Sequence, residues 1–285
     1  MSDKMRRNLA SYADGVRIVR AIEYLSDNFE IQPSLDDAAR VAGISSYHFQ
    51  RIFTRFVGIS PKNFVQHLSL KRATESLANS ICVSDAAHSI GRSAPGRHHD
   101  FLVTYEHMTP SEWKTKAAGK EVVYGWHLSP FGDCLIVASE RGVCGLAFEL
   151  KSGREATIEN LFGSLGEVRR LQDESATKEF ADRAFDGGQL NVLLRGSLFQ
   201  FKVWKGLLGI PSGVVTSYGI LALSLGKPTA VRAVASAVAR NPVSWLVPCH
   251  RVVRNNGTIS GYRWGPAKKR SMLAVESAVL EGLTD

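Results

Sequence analysis

Cysteine is scarce in this chain: four among 285 residues, Cys82, Cys134, Cys144 and Cys249, with none before Cys82. They form no CxxC pair and no Cys/His zinc spacing, so reduced thiols and no metal are expected. His98-His99-Asp100 does not alter this, because adjacent histidines on a helix diverge. Long apolar runs are missing as well. Nothing approaches the ~20 residues of a transmembrane helix, and the charged stretch from Met1 to Asp14 has no signal-peptide core. A cytoplasmic location without a membrane partner is expected. Carboxylates are short in one region only: residues 195–285 hold three Asp/Glu against twelve Lys/Arg, whereas residues 121–194 hold twelve against seven. The net charge of +8 therefore conceals a basic C-terminal end, which suits a polyanion, since each neutralised phosphate releases counterions. A hydrophobic fraction of 44% argues against disorder throughout, and the length suffices for two domains with separate cores.

What is present concentrates in that basic end. Pro248-Cys249-His250-Arg251-Val252 sets a cysteine beside a histidine, with apolar Trp245-Leu246-Val247 expected as a strand leading into it. A thiol reacts as thiolate, and its ordinary pKa of about 8.5 falls beside an imidazole or a helix N-terminus. Cys249 is the candidate nucleophile; a packed core cysteine is the other reading of an isolated Cys-His pair.

In the first hundred residues the apolar spacing is helical, with Ile18, Ile22 and Leu25 on one face of residues 15–28. Ser34 caps a helix through Arg40 and Gly43 ends it. Ser45 or Ser46 starts another, with Phe49, Ile52, Phe53 and Phe56 inward, stopped by Gly58-Ile59-Ser60-Pro61. Two helices with glycine in the turn make a helix-turn-helix. A long helix over 61–78, a short one over 84–90 and a segment over 95–104, closed by Met108-Thr109-Pro110, repeat the unit. Ser46, Tyr47, His48, Gln50 and Arg51 in the first unit, and Arg97, His98 and His99 in the second, are the candidates for reaching base edges in the major groove.

A small basic linker, Lys114 to Lys120, precedes residues 121–128, 134–139 and 143–150, which read as an antiparallel meander; residues 153–185 read as helices. Ser197 and Gln200 stand at capping-box spacing before a helix burying Phe201, Trp204 and Leu208. Ser217 caps a helix through Leu225, and Thr229 caps the next through Arg240, a second helix-turn-helix. This last helix turns Val231, Val234, Ala235 and Val238 inward and Arg232, Ala233, Ser236 and Arg240 outward. Small residues around one arginine let a helix press into a narrow groove.

The Cys249 run has Asn241-Pro242 before it, Gly257 to Gly265 and Glu276 after it, and upstream Gly196 to Trp204, Ile210-Pro211-Ser212-Gly213, Thr216-Ser217-Tyr218-Gly219 and Val231-Arg232-Ala233-Val234. Over about residues 120–280 this set closely resembles the O6-alkylguanine-DNA alkyltransferases, the methylated-DNA–protein-cysteine methyltransferases. The resemblance implies attack by Cys249 on the alkyl carbon of an extruded guanine, with His250 as base acting through a water and Glu276 orienting it. It implies Tyr218 as donor to the leaving guanine and Asn241 as brace of the turn. Val252, Tyr262, Arg263 and Trp264 are implied as the pocket wall. Thr229, Ala230, Ala233 and Ser236 are implied against the minor groove, with Arg232 in place of the extruded nucleotide. Ser244, Trp245 and the Arg263-Trp264 pair depart from residues common in relatives, which bears on pocket width. No cofactor is needed, and a thioether does not hydrolyse, so one alkyl group per chain is expected.

Residues 34–116 resemble the AraC-type regulators through Ala39, Gly43, Ser45, Phe49, Arg51, Phe53 and Pro61, while Arg92 stands where an apolar residue is usual. The expected fold is multidomain, α and α+β. It comprises an all-α double helix-turn-helix domain (1–116), a small antiparallel-sheet supporting subdomain (117–194) and a winged-helix-like catalytic subdomain (195–285). The fusion resembles the bacterial Ada family, whose full-length members begin with a zinc-bound cysteine domain; with no cysteine before Cys82, that domain is expected to be missing. The implied partners are double-stranded DNA containing O6-alkylguanine, a promoter sequence and RNA polymerase, with the chain as a monomer. Two uses stay open: repair with an added DNA-binding module, or a regulator that takes Cys249 alkylation as its signal.

Overall fold

The structure, a computed structural model, describes residues 3–68, 103–108, 121–259 and 261–280. Arg97, His98, His99, Cys82, the linker at 114–120 and the helices expected beyond residue 68 lie outside the described residues.

The first helical unit follows from its caps and its apolar period. Helix α1 (Asp3–Asp27) is followed by α2 (Leu35–Ala42), α3 (Ser46–Val57) and α4 (Pro61–His67). Ser34 and Asp37 form a reciprocal capping box at the start of α2, and Gly43, at φ 69°, ends it in a conformation that costs a side-chain-bearing residue energy. Ser45 rather than Ser46 caps α3. Ile18, Leu25, Ala38, Phe49, Phe53 and Phe64 are buried together, with the Phe53 ring 5.3 Å from Phe49 and 5.5 Å from Phe64. Phe56, expected inward, is only half-buried.

Strand β1 (Val103–Met108) corrects the all-α expectation for residues 1–116; the rest of the 95–104 segment lies outside the described residues. Val-Thr-Tyr is β-branched and aromatic, and it pairs in parallel with β6 (Leu190–Arg195). The meander is present as β2 (Glu121–Ser129), β3 (Gly132–Ser139) and β4 (Gly142–Phe148). The sheet is larger and more mixed than expected: among the described residues it has six strands in the order β1-β6-β4-β3-β2-β5, the last being Arg169–Gln172. Helix α5 (Arg154–Leu165), strand β5 (Arg169–Gln172) and helix α6 (Glu174–Asp186) occupy the stretch read as helices alone. Every residue of β5 is exposed, so it carries no inside/outside alternation to reveal it.

The basic end begins with α7 (Leu198–Leu208), opened by the expected Ser197–Gln200 capping box. Its buried face is Val203, Trp204 and Leu207, while Phe201 and Leu208 are half-buried, so the expected stripe is displaced around the helix. Trp204 donates its indole N–H to Ala237 O at 2.9 Å and ties α7 to α9 (Val231–Ala239). Between them lie the two-residue strand β7 (Thr216–Ser217) and α8 (Tyr218–Ser224), capped by Ser217. β7 pairs in parallel with β8 (Val252–Val253), and α10 (Pro266–Leu280) closes the unit.

Helix α10 also packs on α1 and α4. The buried hydroxyls of Ser26 and Ser271 lie 2.7 Å apart, Arg270 donates to Ser26 O at 2.9 Å, and its guanidinium covers the Phe29 ring at 5.4 Å. The Arg270–Asp27 and Lys268–Glu23 pairs have exposed carboxylates and contribute at most about 1 kcal/mol each. Among the described residues no helix is long and apolar enough to cross a membrane.

Candidate active site

The segment 241–248 is a set of turns rather than the expected strand. Leu246 N and Val247 N bond back to Ser244 O and Val243 O, and Trp245 adopts a left-handed φ of 70°. The backbone of β4 holds the turn from behind: Leu146 N donates to Pro242 O and Ser244 N to Leu146 O, both at 2.9 Å. Trp245 donates to Ala184 O in α6 at 2.9 Å and stacks on the His250 ring, centroids 5.4 Å apart. The sheet subdomain is thus the wall against which the reactive loop is set.

Cys249 opens a 3-10 turn, Cys249–Arg251, and is buried. Asn241, buried at the end of α9, spans the turn. Its amide donates to Val247 O at 2.7 Å and to Cys249 Sγ at 3.3 Å, and its carbonyl accepts from Val243 N at 3.0 Å. Burial pushes the Cys249 thiol up, against the pull of the Asn241 amide, the Lys269 ammonium and the Tyr262 and Ser244 hydroxyls. This corrects the sequence expectation of a lowered pKa. In the DNA-free protein the sulfur is a thiol, and a base is needed to make it a nucleophile.

His250 and Glu276 are both buried, with His250 Nε2 2.9 Å from Glu276 Oε1. Burial alone would raise the Glu276 carboxyl, but Arg251 and His250 hold it well below the ordinary carboxylate value. A charged carboxylate at Nε2 requires the proton there, which leaves Nδ1 as the lone-pair nitrogen. Nδ1 has no hydrogen-bond partner among the described residues, and burial lowers the His250 pKa, so the resting ring is neutral and can accept a proton.

Sequence reasoning left Arg251 and Lys269 without roles, and both are central. Arg251 donates from Nε and Nη2 to Glu276 at 2.7–3.1 Å and from Nη1 to Ile210 O, while Gly213 N donates to Glu276 at 3.2 Å. Lys269 is buried, donates to Val252 O at 2.5 Å and lies 5.8 Å over the Tyr262 ring. Burial lowers its pKa to about 8, opposed by Cys249. Arg251 sits in the quoted motif, but its bonds to Glu276 are formed only by the fold. Lys269, inside the basic run Lys268-Lys269-Arg270, carries no signal that separates it from its exposed neighbours.

The remaining expected residues divide. Tyr218 starts α8 and reaches the site because β7 lies on β8; burial and the Cys249 charge raise its pKa, so its hydroxyl stays a donor. Tyr262 is half-buried with its hydroxyl 3.6 Å from Met272 Sδ, and Trp264 is buried with its indole N–H on the Ser244 hydroxyl. Arg263 lies over the Trp264 ring at 4.9 Å. The carbonyl of Val252, a residue expected in the pocket wall, is engaged by Lys269. Arg232, Ala233 and Ser236 are exposed along α9 as expected. Thr229 does not cap this helix: it lies in the turn closed by Ala230 N on Lys227 O at 2.9 Å, and Ala230 is the N-cap residue, without a side-chain bond. On α3, a separate element, Tyr47, Gln50 and Arg51 are exposed and His48 is half-buried. The Ser46 hydroxyl is engaged by Asp36.

Residues 198–278 match the family of 6-O-methylguanine DNA methyltransferase DNA-binding domains, and residues 38–116 match a helix-turn-helix domain family, which therefore runs past β1. The bifunctional transcriptional activator/DNA repair enzyme Ada of Escherichia coli K12 is 32% identical over 259 residues, covering 87% of this chain and 72% of the relative. A methylated-DNA–protein-cysteine methyltransferase of Salmonella typhimurium is 48% identical over 91 residues, 32% of this chain and 53% of the relative. The crystal structure of a Mycobacterium tuberculosis O6-methylguanine methyltransferase aligns at 31% identity and a TM-score of 0.45, over 55% of this chain and 93% of its own. With a helix-turn-helix unit ahead of a methyltransferase domain and this similarity over most of its length, the chain belongs to the Ada family.

Proposed function

We propose that the chain repairs O6-alkylguanine in duplex DNA by moving the alkyl group irreversibly to its own Cys249, and that its helix-turn-helix unit adds a regulatory role. The observation that carries this is the buried Asn241–Cys249 contact with the His250–Glu276–Arg251 chain beside it. An alkyl group on O6 faces the pairing edge, so the base must leave the stack at a cost of a few kcal/mol. Arg232 on the exposed face of α9 fills the space left behind, with Ala230, Ala233 and Ser236 against the groove and Thr229 in the turn before them. His250 Nδ1 receives the Cys249 proton, directly or through one water, and Glu276 stabilises the imidazolium. Sγ attacks the alkyl carbon, the C–S bond forms as the C–O6 bond breaks, and Tyr218 donates a proton as guanine leaves. Tyr262, Arg263, Trp264 and the Val252 backbone form the pocket wall.

Duplex containing O6-methylguanine should return with unmodified guanine and no released base after one stoichiometric exposure; release of a free purine would mean excision and contradict the reading. Arg232→Ala should slow this reaction by tenfold or more, roughly the loss of one strong contact, while reaction with free O6-benzylguanine changes little. Equal loss on both substrates would remove Arg232 from base extrusion.

In the N-terminal unit, Tyr47, His48, Gln50 and Arg51 read a promoter sequence, and the activated promoter recruits RNA polymerase. A second reading, in which Cys249 alkylation is the signal, has support from α10. The helix carries Lys269 and Glu276 toward the thiol and Arg270 and Ser271 toward α1. Operator affinity measured before and after methylation decides it: identical binding curves would leave repair and regulation uncoupled.

A further inference from the structure

A cavity of about 410 Å³ opens beside the reacting turn and shares only Arg263 with the pocket wall named above. It is lined by Arg195 at the end of β6, Arg240 at the C-cap of α9, Arg263 before α10, and Asn160 and Ser164 in α5, with no Asp or Glu among its lining residues. Two of the arginines are anchored to α5: Arg195 Nη1 donates to Ser164 O at 2.5 Å, and Arg263 Nη2 donates to Asn160, at 3.3 Å to the backbone oxygen. These bonds leave donors over. Arg195 Nε and Arg263 Nη1 are buried with no acceptor, a state that native proteins seldom tolerate. Arg240, exposed, adds a third guanidinium at the rim and directly precedes Asn241, the residue that bonds Cys249 Sγ.

Three guanidinium groups without a carboxylate suit the oxygen acceptors of a phosphate, and two of them hold a buried N–H that has no acceptor. We propose that this cavity binds a backbone phosphate of the strand carrying the extruded guanine, so that α5 of the sheet subdomain completes a DNA contact begun by α9. The inference rests on the repair reading for its choice of DNA over a free phosphate ion. It gives the sheet subdomain a part in substrate binding through Arg195 and the α5 carbonyls that hold it.

The test is the salt dependence of duplex binding for wild type, Arg195→Gln and Arg240→Gln. Loss of one phosphate contact should flatten the slope of log K against log salt by about 0.9 and weaken binding roughly tenfold at low salt. Arg240 is exposed at a helix end, so its variant reports even if Arg195→Gln fails to fold. Slopes parallel to wild type for Arg240→Gln and any folded Arg195→Gln would overturn the proposal. Inorganic phosphate, titrated at constant ionic strength, separates the sources. Arginine-dependent binding of that ion with unchanged DNA slopes would assign the cavity to a free anion and also overturn it. The repair reading fails separately, if wild type gains no methyl group from O6-methylguanine duplex; the slopes decide the cavity in either case.

Discussion

Glu276→Gln is expected to slow alkyl transfer by roughly 10²-fold or more, the range lost with a general acid–base partner. The amide can still accept from His250 Nε2 at a similar distance, so the ring keeps its tautomer. What disappears is the negative charge that stabilises the imidazolium once Nδ1 has taken the thiol proton. The same substitution strands the Arg251 guanidinium, which now donates to Glu276 through Nε and Nη2. Removing one partner of a buried pair costs about 3–5 kcal/mol, so the variant should also melt earlier. The pH dependence separates the two effects. The Glu276 carboxyl is depressed in the folded protein, so its contribution is full above the ordinary value of 4.5 and is lost as pH falls below it. The variant should therefore show a flatter acid limb of stability, together with a transfer rate that stays low at temperatures where it is fully folded. A folded variant with wild-type rate would remove Glu276 from the proton transfer.

The second large effect is expected at Lys269. A buried lysine whose pKa falls to about 8 from 10.5 destabilises the charged folded state. Between those values the unfolded chain holds a proton that the folded chain has released, so this group's contribution to stability rises with pH. The full difference is about 3 kcal/mol. Cys249 and Tyr262, both raised by burial, oppose this at higher pH. The comparison is best made in a Cys249→Ser background and read between about pH 8 and 9.5. There Lys269→Met should abolish the rise. With Cys249 intact, the same substitution should move the pH profile of alkylation upward, because the thiolate loses an ammonium that favours it. An unmoved profile would reduce Lys269 to a support for Val252 O and the Tyr262 ring.

The features legible in the sequence are those written in local chemistry. Ser34, Ser45, Ser217 and the Ser197–Gln200 pair cap the helices they precede, because a cap needs only its own next three residues. The Cys249-His250 run and Glu276 were legible as a nucleophile, a base and an orienting acid through family resemblance, and the structure brings His250 and Glu276 to 2.9 Å. The missing parts depend on burial. Arg251 and Lys269 read as members of a basic surface until the fold encloses them, and the rise of the Cys249 thiol follows from that enclosure rather than from its neighbours in sequence. Trp245-Leu246-Val247 is apolar for a different reason than strand formation: the Trp245 ring fills the gap between α6 and His250 while its backbone turns. Thr229 is a good capping residue placed one position before the N-cap, where a β-turn already satisfies the chain.

The intact mass of the protein after mixing with excess duplex containing O6-methylguanine tests the central claim most directly, with Cys249→Ser as control. The account predicts a gain of a single methyl group per chain, located on Cys249, unchanged by longer incubation and absent in the control. No gain with DNA binding retained, or a gain that persists in Cys249→Ser, would contradict it.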